Sequence, residues 1–162
     1  MFSREQTKLI QKLARQCLEK GILLVTAESC TGGLLSSLFT QEAGSSKWFD
    51  RGFVTYSNNS KIDSLGVREE TLGNFGAVSQ EVANEMSTGA LKNSEANLGI
   101  SITGIAGPDG GSLTKPVGTV YFSIANQKKV ILEHKSDFKG SREVIRKESV
   151  LFVLNKLLNL TL

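Results

Sequence analysis

The run Ile22-Leu23-Leu24-Val25-Thr26 constrains the fold more than any other stretch of the chain. It is apolar without alternation and too short for a helix, so it reads as a strand buried on both faces. A strand of that kind needs packed layers on both sides. The run leads into Ala27-Glu28-Ser29-Cys30-Thr31-Gly32-Gly33 and then into Leu34-Leu35-Ser36-Ser37-Leu38-Phe39, which is helical in pattern. A strand that passes through small residues into a helix leaves free backbone N–H groups at the helix start.

The remaining pattern fits layers around such a strand. Ser3 and Gln6 form a capping box for a helix carrying Leu9, Ile10, Leu13, Cys17 and Leu18, which Gly21 ends. Trp48 to Tyr56 reads as a strand with Gly52 as a bulge. Ser57 to Leu65 predicts a short helix bearing Lys61, and Arg68 to Leu72 another. Ser79 caps a third, with Val82, Ala83, Met86 and Ala90 inward. Leu98 to Thr103 is a strand that enters a glycine-rich loop. Val117 to Ile124 and Lys128 to Lys135 alternate as a hairpin turning near Asn126-Gln127. Ser141 to Leu160 is a closing helix, with Val144, Ile145, Val150, Leu151, Val153, Leu154, Leu157 and Leu158 mostly inward. This order predicts one α/β domain over residues 1–162, a mixed sheet with helices on both faces.

Composition narrows the chemistry. Lys and Arg number 19 and Asp and Glu 16, a net charge of +3 that is too scattered for nucleic acid and suits a small anionic ligand. Two cysteines, Cys17 and Cys30, build neither a disulfide framework nor a four-ligand zinc site. A Ser-His-Asp triad would have to use the single histidine, His134, and a multi-histidine metal site is excluded. No apolar run approaches a membrane span, and Met1-Phe2-Ser3-Arg4-Glu5-Gln6 lacks a leader's apolar core. The expectation is a cytoplasmic protein with no membrane, metal or organic cofactor.

Ser29 is placed as a hydroxyl nucleophile beside backbone donors, or simply as a helix cap. Cys30 is either packed or a thiol nucleophile whose only histidine partner sits in a predicted strand. With histidine scarce, lysine is the available base, and Lys61 qualifies if burial lowers its pKa. Ser112-x-x-Lys115 and Ser136-x-x-Lys139 match a Ser-Lys spacing by chance. Thr103-Gly104-Ile105-Ala106-Gly107-Pro108-Asp109-Gly110-Gly111 either lets backbone approach an anionic ligand or merely connects strands. Arg142 and Arg146, four apart at a helix start, can share one face and clamp a phosphate, although arginines there are more often solvated.

Five segments in order extend this reading. They are Ala27 to Gly33, Tyr56-Ser57-Asn58 with Lys61, Gly76-Ala77-Val78-Ser79, Thr103 to Pro108, and Val117-Gly118-Thr119-Val120. Together, from about residue 5 to 160, the chain resembles the C-terminal domain of the competence- and damage-inducible protein family CinA, the nicotinamide mononucleotide amidohydrolases. The larger N-terminal domain of full-length members is not part of this sequence. The resemblance implies an α/β/α sandwich that hydrolyses the carboxamide of nicotinamide mononucleotide to nicotinate mononucleotide and ammonia. It implies Ser29 as nucleophile, Lys61 as base, and Tyr56 and Thr103 beside them, with Tyr56 relaying a proton or orienting Lys61. It implies an arginine of the last helix, Arg142 in preference to Arg146, on the phosphate. The amides of Thr31, Gly32 and Gly33 are expected to hold the oxyanion, and Gly104, Ala106 and Gly107 the substrate. The expected partners are a nucleotide substrate and a second copy of the chain. The rival readings are a nucleotide-binding regulatory module without turnover and a serine amidase for another small substrate.

Overall fold

The computed structural model describes residues 3–160. The two residues beyond each end, and with them part of the stretch searched for a leader, lie outside the described residues. In order the elements are α1 (Arg4–Lys20), β1 (Leu24–Glu28), α2 (Leu34–Thr40), β2 (Phe49–Val54), α3 (Asn58–Leu65), α4 (Glu69–Phe75), α5 (Gln80–Lys92), β3 (Leu98–Gly104), β4 (Thr119–Asn126), β5 (Val130–Asp137) and α6 (Arg142–Asn159). The sheet order is β2-β1-β3-β4-β5. β1 runs parallel to both β2 and β3, and β3, β4 and β5 are successively antiparallel.

All five residues of β1 are buried, as a strand covered on both faces requires. Its side chains alternate between two cores. Leu24 joins Ile10, Leu13 and Cys17 of α1, Leu35, Leu38 and Phe39 of α2, and Ile145, Val153 and Leu154 of α6. Val25 and Ala27 join Leu65 of α3, Leu72 of α4, and Val82, Met86 and Ala90 of α5. The result is a three-layer α/β/α sandwich on a mixed sheet. Among the described residues no helix is long and apolar enough to cross a membrane.

Three local expectations change. The irregularity in β2 falls before Arg51, and Gly52 pairs regularly with Thr26. Gly52 is glycine because a Cβ there would collide with Ser36 Oγ and lie 2.8 Å from Thr26 Oγ1. Val144, expected inward, is 42% exposed in the first turn of α6. The hairpin begins at Thr119, since Gly118 takes a φ of 97° and a Cβ there would meet the Phe138 carbonyl.

Candidate active site

β1 has β2 on one side and β3 on the other, and the chain visits them in that order. The crevice at the carboxyl ends of such strands is where open α/β sheets bind ligands. Ser29 follows β1, Thr55 and Tyr56 follow β2, and Thr103 and Gly104 end β3. Ser29, Tyr56, Thr103 and Gly104 meet at a cleft of about 290 Å³.

The Ser29 amide donates to the Ile102 carbonyl at 2.9 Å, which fixes the turn to β3. Lys61 sits on α3, which Ser57 and Ser60 cap reciprocally and Gly66 closes. Its side chain is 1% exposed. Lys61 Nζ donates to Ser29 Oγ at 3.0 Å and to the Thr55 carbonyl at 2.7 Å. Among the described residues it forms no salt bridge. Burial lowers its pKa to about 8, with the neighbouring Cys30 acting weakly the other way.

Ser29 does not cap α2. The cap residue is Gly33, without a side-chain bond. The buried carboxylate of Glu28 fills that role, accepting from the amides of Gly33, Leu35 and Ser36 and from Ser36 Oγ. Sequence reasoning missed Glu28. The signal was there in the strand alternation, since Glu28 shares the face of Leu24 and Thr26 and so points at the start of α2.

Cys30 is packed, and burial first, with the charge of Glu28 assisting, pushes its thiol up to about 12. It stays protonated at neutral pH. His134 pairs with Phe122 across β4 and β5 and stacks on Phe152 of α6 at 4.5 Å, away from the cleft lining. Lys115, of the first Ser-x-x-Lys spacing, donates to the Phe75 carbonyl at 2.7 Å.

The three expected oxyanion amides separate. Gly32 N–H is taken by the Ser29 carbonyl and Gly33 N–H by Glu28. Among the described residues the amides of Thr31 and Cys30 have no partner. Thr103 lines the cleft, but its hydroxyl donates to the Ala77 carbonyl at 2.7 Å and so holds the turn before α5. Tyr56 is 61% exposed and bonds Arg142 rather than Lys61, so the Thr55 carbonyl is what orients the lysine.

The arginines also part. Arg142 lines the cleft, donating to the Gly107 carbonyl at 2.8 Å and to Tyr56 Oη at 2.6 Å. Both acceptors are neutral, and among the described residues no carboxylate is within ion-pair distance. Arg146 is not in the lining; its Nη2 donates to the Thr31 carbonyl at 2.8 Å and braces the turn that carries Ser29. Gly104, Ala106 and Gly107 also line the cleft, and the amides of Ala106 and Gly107 have no partner among the described residues.

An α/β/α sandwich with a buried lysine on a serine at its strand-order switch is the class that fold and cleft define. The family model of the CinA C-terminal domain matches residues 6–161, and the chain belongs to that family. It is 46% identical over 157 residues to a nicotinamide-nucleotide amidohydrolase, PncC, of Escherichia coli K12, covering 97% of this chain and 95% of that one. A PncC of Enterobacter agglomerans is 52% identical over 135 residues, 83% of this chain and 82% of that one. A putative competence-damage inducible protein of Caldicellulosiruptor saccharolyticus is 46% identical, matched over 96% of this chain but 38% of its own length. Among solved structures, a competence/damage inducible protein from Agrobacterium tumefaciens superposes with a TM-score of 0.94 at 43% identity, covering 99% of both chains.

Proposed function

We propose that this chain hydrolyses the carboxamide of nicotinamide mononucleotide to nicotinate mononucleotide and ammonia, with Ser29 as nucleophile and Lys61 as base. The observation that carries the reading is Lys61 Nζ, buried, with no salt bridge among the described residues, 3.0 Å from Ser29 Oγ. Neutral lysine has one lone pair. With one N–H held by the Thr55 carbonyl, loss of a proton from the amine frees its lone pair to turn to the Ser29 hydroxyl, reversing the present donation from Nζ to Oγ. Ser29 attacks the amide carbon, Lys61 takes its proton, and the tetrahedral oxyanion is received by the unpartnered amides of Cys30 and Thr31. Protonated Lys61 gives its proton to departing ammonia, and water then hydrolyses the acyl-serine. Arg142, with only neutral partners, meets the phosphate, and the amides of Ala106 and Gly107 offer further donors.

The relatives named as amidohydrolases at 46% and 52% identity support the substrate class. The test is ammonia release from nicotinamide mononucleotide by pure protein, beside nicotinamide and an unrelated primary amide. Release from the mononucleotide and its loss in Ser29→Ala are expected. A folded wild type that binds the nucleotide and liberates no ammonia overturns the reading in favour of a binding module.

A further inference from the structure

We infer that Glu28 is a positioning residue for the Ser29–Lys61 pair, acting through hydrogen bonds at both ends of the nucleophile turn. The inference rests on the proposed roles of those two residues. Glu28 is fully buried. Oε2 accepts from the amides of Gly33 at 3.1 Å and Leu35 at 3.0 Å. Oε1 accepts from the amide of Ser36 at 2.8 Å and from Ser36 Oγ at 2.7 Å. Because Ser36 spends its hydroxyl proton on Glu28, the 2.7 Å contact with Thr26 Oγ1 must carry the threonine's proton. Every donor around the carboxylate therefore points toward it.

The main chain of Glu28 reaches the other way. Its carbonyl accepts from Thr55 N–H at 2.9 Å, and the Thr55 carbonyl in turn receives Lys61 Nζ. Ser29, the next residue, thus lies in a turn tied by Glu28 to the helix that follows it, while the same residue anchors the strand end that aims the base. Only an acceptor with two oxygens takes four donors. A glutamine in its place brings an N–H₂ against at least one of them, and the turn must shift.

The experiment compares wild type, Glu28→Gln and Ser36→Ala in two ways. One readout needs no substrate: the titration of Lys61 followed by ¹⁵N-lysine NMR. The other is kcat and KM for nicotinamide mononucleotide, alongside Tm. In Glu28→Gln, Lys61 should titrate about one unit higher, toward a solvated lysine, as it leaves its buried position. Its kcat should fall at least about tenfold while KM stays within about twofold, because the substrate-binding wall is untouched. Ser36→Ala deletes one of the four bonds and should move both quantities in the same directions by less. A lower Tm with Lys61 titration and kcat unchanged would mean that Glu28 only holds the fold, and would overturn the inference. If Glu28→Gln does not fold, Ser36→Ala decides by the same readouts. Absence of amide hydrolysis by wild type removes the proposed function and leaves the Lys61 titration to judge Glu28.

Discussion

At the scale of single residues, the proposed role of Lys61 ties rate to a cost in stability. In the proposed mechanism the unprotonated amine is the base, so kcat/KM for the mononucleotide should climb with pH through about 8 and then level off. Lys61→Arg should be nearly as inactive as Lys61→Ala, because a guanidinium stays protonated. Stability moves with the same group. Between about 8 and the ordinary lysine value the unfolded chain binds more protons than the folded one, so this residue's penalty shrinks as pH rises through that window and is complete below it. Lys61→Met should therefore raise stability at pH 7, by up to about 3 kcal/mol, while abolishing turnover. The gain should fade toward pH 10, as chemical denaturation at two pH values would record. Cys30→Ala should remain active, since its thiol is held to about 12 and is no rival nucleophile. Arg142→Ala should raise KM at least about tenfold for the mononucleotide and much less for its phosphate-free riboside, as expected for loss of a charge-assisted anion contact. Arg146→Ala should instead lower kcat, since its partner is the Thr31 carbonyl.

At the scale of elements, close approach explains what helix propensity does not. Gly89 lies within α5, where an alanine would ordinarily gain about 1 kcal/mol. A Cβ at Gly89 would collide with the backbone carbonyl of Leu65, the last residue of α3, and backbone cannot swing aside. Gly89→Ala should destabilise by about 1–3 kcal/mol and also depress activity, because α3 carries Lys61. A thermal melt and an ammonia assay on one preparation test both halves. The same contrast shows what was legible in sequence. β1, α5 with its Ser79 cap and α6 were readable because apolar runs, apolar period and capping residues are local signals, whereas the Ser57 cap of α3 emerged only in the structure. The Ser29–Lys61 meeting was legible through the scarcity of histidine and the family resemblance. Gly52 was misjudged because a bulge and a close approach demand the same residue. Spacing could not separate Arg142 from Arg146 because one helical turn divides them; the resemblance favoured Arg142, and the seating of α6 on the sheet turns Arg142 to the cleft and Arg146 to Thr31. Glu28 left only the strand alternation as a signal, because three of its four donors are main-chain amides, which leave no trace in side-chain identity.

At the scale of the whole molecule, the cleft is assembled from distant parts of the chain. Ser29 and Lys61 are 32 residues apart, Tyr56 and Arg142 are 86 apart, and Thr31 and Arg146 are 115 apart. The strand that leads to Ser29 is an interior one, paired on both sides, so its bonds should open only with the sheet around it. Hydrogen exchange should find the Ser29 amide, bonded to Ile102, among the slowest in the protein. The amides of Asp109 to Gly111, which have no partner among the described residues, should be among the fastest. A Ser29 amide that exchanges as quickly as that loop would contradict the picture. The seating of α6 beside α1 in the first core, described above, also sets an order of events. Nucleophile, base and glycine loop all precede α6 in the chain, but the one cleft-lining arginine belongs to it. During synthesis on the ribosome, a chain not yet extended through α6 lacks the anchor for its anionic substrate, whatever its serine and lysine have already found. If the proposed roles hold, hydrolytic competence arrives only when the helix made last closes against the helix made first.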